Sequence, residues 1–138
     1  MNLAFNLNQF RSDHIFFMDT KPNSLIEGLF TKLNYCDEQF SMNGLYLTFM
    51  GEAHEGASAP AHKARIESSY YRALCEIEQE LLRMRGAKTI QCKLGEALHA
   101  KYEIVGTKPT WKLAPIVIKI SGVWENKQGH VGLSYRII

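Results

Sequence analysis

Five cationic residues alternate with apolar residues in segments that the sequence predicts to be β-strands. They are Lys32, Lys93, Lys101, Lys119 and Arg136. Because successive side chains of a strand point to opposite faces, each cation would lie on the face turned away from the core. If the strands are neighbours, the cations form a stripe, which is what following the phosphates of a nucleic acid requires. The alternative is an ordinary solvated face, which carries about one charge per strand.

Aromatic residues are interleaved with these cations. Phe30, Tyr46 and Trp124 fall in or beside the same predicted strands. An exposed ring on a sheet can stack a nucleobase, which contributes ~1–3 kcal/mol per base. Most aromatic side chains belong to hydrophobic cores, so a core position is the alternative for each of them.

A predicted loop between two strands combines cations with a tryptophan. It contains Lys108, Trp111 and Lys112 around Pro109. A stiffened, cationic loop of this kind could close over a bound strand. The alternative is an ordinary connector whose tryptophan packs at the edge of the core.

The sequence contains no recognisable catalytic or metal-binding pattern. It has no Gly-x-Ser-x-Gly, no phosphate-binding Gly-x-x-x-x-Gly-Lys and no Gly-x-Gly-x-x-Gly. His54 and His62 lie in a Gly-, Ala- and Ser-rich segment, 51–62, which we predict to be a surface loop. Their spacing does not match that of known metal ligands. We therefore predict a protein that is not an enzyme, with no metal and no cofactor.

Length and composition predict one globular domain spanning residues 1–138. The chain is 46% hydrophobic and 22% charged, with a net charge of +2. The first ten residues do not resemble a secretory signal, and no segment approaches the ~20 apolar residues of a membrane span. Three cysteines without paired spacing fit an intracellular, reducing compartment, cytoplasm or nucleus.

One long amphipathic helix is predicted at about residues 61–85. Its apolar residues recur at steps of three and four, and Gly86 suits its C-terminal stop. The apolar face consists of Ile66, Tyr70, Leu74, Ile77, Leu81 and Met84.

Alternating segments before and after this helix predict a mostly β protein. Residues 116–124 and 130–138 should form a hairpin around a turn at 126–129. Further strands are predicted at 15–18, 29–35, 45–49, 88–94 and 98–104. The fold class is therefore α+β, either an OB-like small barrel or a strongly curved antiparallel sheet with one long helix.

Two stretches, residues 30–49 (FTKLNYCDEQFSMNGLYLTF) and 118–135 (IKISGVWENKQGHVGLSY), resemble segments of small single-stranded-DNA-binding proteins from phages and large DNA viruses. The resemblance covers about a third of the chain. It implies an OB-like fold, sequence-tolerant binding of single-stranded DNA or RNA, and a viral or phage origin.

Two other functional classes remain open at this point. A viral matrix-like assembly protein would also be a mildly basic, β-rich domain without catalytic residues, and it would self-associate. A small-ligand-binding barrel would instead place Tyr35, Tyr46, Tyr102 and Trp124 around an internal pocket.

Overall fold

The computed structural model describes residues 4–23, 27–36, 41–53, 63–86, 89–110 and 112–138. Within these ranges the chain forms two α-helices, α1 (Ser68–Met84) and α2 (Leu94–Lys101). The strands in the same ranges are β1 (Phe5–Asn6), β2 (Ile15–Pro22), β3 (Gly28–Cys36), β4 (Ser41–Asn43), β5 (Leu45–Glu52), β6 (Arg65–Glu67), β7 (Thr89–Gln91), β8 (Glu103–Val105), β9 (Leu113–Asn126) and β10 (His130–Ile137).

The long strand β9 is the centre of the main sheet. It pairs antiparallel with β10 on one side, and with first β5 and then β3 on the other. Strand β3 also pairs with β2 and β4, while β1 and β7 add parallel pairings to β5 and β10. Strands β6 and β8 form a separate parallel pair. The predicted α+β, mostly β class is confirmed, but the sheet is mixed and is not closed into a barrel.

The terminal hairpin, β9 and β10, forms where the alternation predicts it. The side-chain oxygen of Asn126 accepts hydrogen bonds from the backbone N–H groups of Gln128 and His130, at 3.0 and 2.9 Å. Gly129 has a φ of 82°, in the left-handed region that glycine adopts without steric cost. Side-chain capping and one glycine therefore fix the turn.

Helix α1 buries Leu74, Ile77 and Leu81 of the predicted face but leaves Met84 exposed, and it begins later than expected. Residues 65–67 form β6 instead of a first helical turn, because they pair with β8. Residues 61–62 lie outside the described ranges. The helix ends at Met84, before Gly86 with a φ of 80°, as the sequence predicts.

The strand predicted at 98–104 is wrong, because most of that segment belongs to α2. Leu94, Leu98 and Tyr102 are spaced by four residues and are all buried, which is a helical period. A step of four residues is also two steps of the two-residue period of a strand, so over the short stretch from Leu98 to Ile104 the apolar residues fit both patterns. The first turn of α2 is also stabilised from outside, by Glu78 of α1.

The other predicted strands are present with shifted ends. Strand β2 extends beyond residue 18 to Pro22, and β5 extends to Glu52. Of the segment predicted at 88–94, the described residues 89–94 contain the short strand β7 and the first residue of α2. Most of the predicted loop at 51–62, with both of its histidines, lies outside the described residues. The remaining boundaries differ from the alternation pattern by at most three residues.

One hydrophobic cluster joins the sheet to the helices. Leu45, Leu47, Ile118 and Ile120 from the centre of the sheet are fully buried, together with Leu74 of α1 and further apolar residues of both helices. This face of the sheet, which we call the inner face, is therefore covered by the core. The strand residues that alternate with these buried residues lie on the opposite face, which we call the outer face.

Candidate nucleic-acid interface

Directly opposed residues of neighbouring strands share a face, so the pairing register gives the layout of the outer face. In one row, Arg136 of β10 lies opposite Lys119 of β9, and Lys119 lies opposite Tyr46 of β5. In the next row, Ser134 lies opposite Gly122, which lies opposite Lys32 of β3.

A third row crosses more strands. Gly132 of β10 lies opposite Trp124 of β9, Trp124 lies opposite Phe30 of β3, and Phe30 lies opposite Lys21 of β2. On the other side, Gly132 lies opposite Gln91 of β7. This row therefore places two aromatic rings next to each other, with a cation at one end.

Two glycines make room for these rings. The Cε2 atom of Trp124 lies 2.7 Å from where a Cβ of Gly132 would be, and the Cζ atom of Phe30 lies 2.7 Å from that of Gly122. Each ring therefore covers a glycine of a neighbouring strand. Both rings are only half-buried, so part of each remains available for stacking.

The third aromatic residue of the outer face is held by a cation. The Nζ atom of Lys119 lies 5.5 Å from the centre of the Tyr46 ring, within cation–π range. Both side chains are half-buried. A base that stacks on the Tyr46 ring would therefore lie beside the positive charge of Lys119.

The outer-face rows carry four cations, Lys21, Lys32, Lys119 and Arg136, and no carboxylate. None of the four forms an ion pair with a residue in the described ranges. The net charge of the whole chain is +2. These three rows therefore carry +4, whereas the rest of the chain sums to −2 (+2 minus +4).

The structure brings together five of the predicted site residues and separates two others. Lys32, Lys119, Arg136, Phe30 and Tyr46 share the outer face. The placement of Lys93 and Lys101 on strands was wrong. They stand immediately before and at the end of α2, so neither belongs to a row of the sheet.

The predicted loop residues lie at the far end of β9. Lys108 and Lys112 are exposed, and the carbonyl of Lys112 accepts a hydrogen bond of 2.8 Å from the N–H of Ala53. At ~3.3 Å per strand residue, Lys112 starts roughly 23 Å along the chain from Lys119. The predicted contribution of Trp111 lies outside the described residues. The structure does not bring this loop onto the rows of the outer face.

Lys21 was not among the predicted site residues, whereas Trp124 was predicted only as one of the aromatic residues interleaved with the cations. Lys21 was missed because the alternation of β2 is broken by an irregularity between Phe17 and Thr20. Gly122 and Gly132 were a usable signal, since glycine inside a strand often marks the close approach of another group.

The four aromatic residues expected around a barrel pocket do not surround one cavity. Tyr35 and Tyr102 are buried in the hydrophobic cluster, whereas Tyr46 and Trp124 lie on the outer face. The open sheet separates the two sets.

Burial shifts the pKa of three reactive side chains among the described residues. Burial raises the pKa of the Cys75 and Cys92 thiols, which keeps them in the less nucleophilic protonated form. Burial also raises the pKa of Glu78, whose carboxylate accepts backbone hydrogen bonds. In the described part of the chain no group of three histidine, cysteine or acidic residues is arranged to hold a metal ion.

Comparison with known proteins gives no relative from which a function could be transferred. The chain matches no protein-family model, no curated protein and no solved structure. The resemblance to single-stranded-DNA-binding proteins therefore stays a prediction. Among the described residues, no helix is long and apolar enough to cross a membrane.

Proposed function

We propose that the protein binds single-stranded nucleic acid through the outer face of its sheet. One observation carries the proposal: four cations, which have no carboxylate partner among the described residues, share a sheet face with three half-buried aromatic rings. Cations bind a phosphate backbone by releasing its counterions, and rings bind bases by stacking.

A single strand suits this face better than a duplex does. Stacking on Trp124, Phe30 or Tyr46 requires bases whose flat sides are free, and in a duplex those sides are occupied by neighbouring bases. From Trp124 to Lys119 the rows extend over roughly 17 Å of β9, at ~3.3 Å per residue. That length accommodates a few nucleotides, near the lower end of the ~4–16 nucleotides that a single-strand-binding module covers.

The same face should bind single strands of different base sequence with similar affinity. Every base has a flat π surface, and every nucleotide has a phosphate, so rings and cations bind without reading base identity. The OB-like relationship and the viral or phage origin stay predictions from the sequence, which names both DNA and RNA as partners.

The charge contribution is tested by comparing Lys119→Ala with Lys101→Ala. Binding of short single-stranded DNA, single-stranded RNA and duplex DNA is measured by fluorescence anisotropy across a series of salt concentrations. Lys119→Ala should weaken binding of all single strands similarly and make the salt slope shallower by ~0.7, the value of one phosphate contact on a single strand. Lys101→Ala, an exposed cation of α2, is the matched control and should leave both unchanged.

The stacking contribution is tested with Trp124→Leu. This change should weaken single-strand binding about 5- to 150-fold, corresponding to ~1–3 kcal/mol, without changing the salt slope. Equal affinity for duplex and single-stranded DNA would contradict the proposal. So would equal losses in Lys119→Ala and Lys101→Ala, because the binding would then not depend on the outer face.

A further inference from the structure

A cavity lies on the inner side of the sheet, at the end where β9 turns into β10. Its volume is about 320 Å³, and its walls include Thr31, Arg85, Val123, Glu125 and Val131. Arg85 comes from the C-terminal end of α1, and the other four come from β3, β9 and β10. The volume is at the lower end of the ~300–1,000 Å³ found for small-molecule sites, so it suits a ligand the size of one nucleoside.

The guanidinium of Arg85 is oriented by two threonines. Its Nε and Nη2 atoms donate to the hydroxyl oxygen of Thr31 at 3.3 and 3.2 Å, and Nη2 also donates to Thr20 at 2.9 Å. Thr31 is only 3% exposed. Within the described residues, Nη1 has no hydrogen-bond partner and Arg85 has no carboxylate partner. Two N–H groups of a fixed cation are therefore available to an acceptor.

The carboxylate of Glu125 lines the same cavity. It accepts no hydrogen bond and forms no ion pair with any residue in the described ranges, and thus it is not paired with Arg85. Arg85 therefore offers donors to this cavity, and Glu125 offers acceptors. A complementary ligand needs both an acceptor edge and a donor edge.

The charges of the cavity disfavour a phosphate. Glu125 offsets the charge of Arg85, and the C-terminal end of α1 adds partial negative charge from its last carbonyl groups. A neutral polar ligand is therefore favoured over an anion. Val123 and Val131 supply apolar wall surface, which suits the faces of a planar ring.

We infer that this cavity binds a guanine base. Guanine has two adjacent acceptors, O6 and N7, which match the two N–H groups of the Nη1 atom of Arg85. Its N1–H and N2 amino group are adjacent donors, which match the two oxygens of a carboxylate. Arg85 would contact the first pair and Glu125 the second. Because the cavity is on the inner side of the sheet, it is separate from the outer face and independent of the function proposed there.

The test is titration of the protein with guanosine, inosine, adenosine and cytidine, followed by calorimetry or by protein NMR shifts. Nucleosides are used because they carry no phosphate that could bind cations elsewhere. Guanosine should bind saturably and more tightly than the other three. Inosine, which has no N2 amino group, should bind about tenfold or more weakly, since a hydrogen bond to a charged group contributes ~1.5–3 kcal/mol.

Glu125→Gln is the matching protein change. It keeps the size of the side chain but loses the charged acceptor, and it should weaken guanosine binding about 10- to 100-fold. Glu80→Gln, on an exposed side of α1, and Lys119→Ala, on the outer face, should bind guanosine as the unmodified protein does. Thermal melting of each variant confirms that it is folded.

Three results would overturn the inference: no saturable binding of guanosine, equal binding of adenosine, or unchanged guanosine affinity in Glu125→Gln. The two proposals fail separately. Oligonucleotide binding without guanosine binding removes only the cavity inference. Guanosine binding without oligonucleotide binding removes only the function proposed for the outer face.

Discussion

Replacing Glu78 should destabilise the fold by removing the hydrogen bonds that hold the start of α2. Glu78 lies on α1, is 1% exposed, and accepts hydrogen bonds from the backbone N–H groups of Lys93 and Leu94, at 3.2 Å and 3.1 Å. These groups are at the start of α2, where no residue of α2 itself provides a side-chain cap. Glu78 therefore does from a neighbouring helix what a local N-cap residue ordinarily does.

Glu78→Ala should lower the free energy of unfolding, because it leaves the N–H groups of Lys93 and Leu94 without their acceptor. A buried donor left without an acceptor costs ~1–3 kcal/mol, and this applies to the N–H of Leu94, which is fully buried. The N–H of Lys93 is closer to solvent and can bind water, so it adds less. Removing a buried carboxylate recovers part of its desolvation cost. We expect a net loss of about 1–3 kcal/mol of unfolding free energy. Glu78→Gln should lose less, because it retains one acceptor oxygen.

Urea unfolding followed by circular dichroism measures this loss. Glu76→Ala is the matched control, because Glu76 is exposed on the same helix and its replacement should change the unfolding free energy by less than ~0.5 kcal/mol. If Glu78→Ala costs no more than Glu76→Ala, then α2 begins without help from α1 and the reasoning is refuted.

Three further changes have defined outcomes. Because burial raises the pKa of Glu78, the folded state holds a proton that the unfolded state has released, so stability should fall as pH rises from 4.5 through the folded pKa. Glu78→Gln should remove this decline in melts at several pH values. Leu74→Ala, at a fully buried position, should cost ~2–5 kcal/mol in urea unfolding; a change under half a kilocalorie would contradict its packing. Gly132→Ala should displace the Trp124 ring and lower single-strand affinity; unchanged affinity and tryptophan emission would contradict the ring's position.

The sheet was predictable from the sequence because its central strands alternate regularly. The alternation in 116–120 and 130–138 places Lys119 and Arg136 on one face, and the same pattern in 29–35 adds Lys32. Which strands are neighbours was not predictable in this way. That depends on pairing between segments far apart in the chain, such as Phe30 with Trp124.

A bulge in β9 prevented the alternation of residues from predicting the face on which Trp124 lies. Strict alternation through residues 116–124 would place Trp124 on the inner face with Ile116, Ile118 and Ile120. The register skips Ser121, because Ser134 pairs with Gly122 and Tyr135 pairs with Ile120. One extra residue moves every later side chain to the opposite face, and Trp124 therefore lies outside.

Helix α2 could not be predicted from local sequence because its start depends on another element. Its N-terminal N–H groups bond to Glu78, about fifteen residues earlier in the chain. No Ser, Thr, Asp or Asn precedes Leu94 at the capping position, which is occupied by Lys93. Without that local signal, the apolar residues of 98–104 fit a strand equally well.

The four cations of the outer-face rows also make it possible to distinguish nucleic-acid binding from self-association through this face, because the two should respond to salt in opposite ways. Two copies joined face to face through these rows would bring four and four cations together, which repel unless a polyanion lies between them. Added salt screens this repulsion, so direct self-association through the outer face should strengthen with salt. Binding of a single strand should weaken with salt, because counterion release drives it. Sedimentation of the protein alone and anisotropy of a labelled oligonucleotide, measured over the same salt series, should therefore change in opposite directions if both processes use this face. Self-association that weakens with salt would place the contact between copies on a different surface.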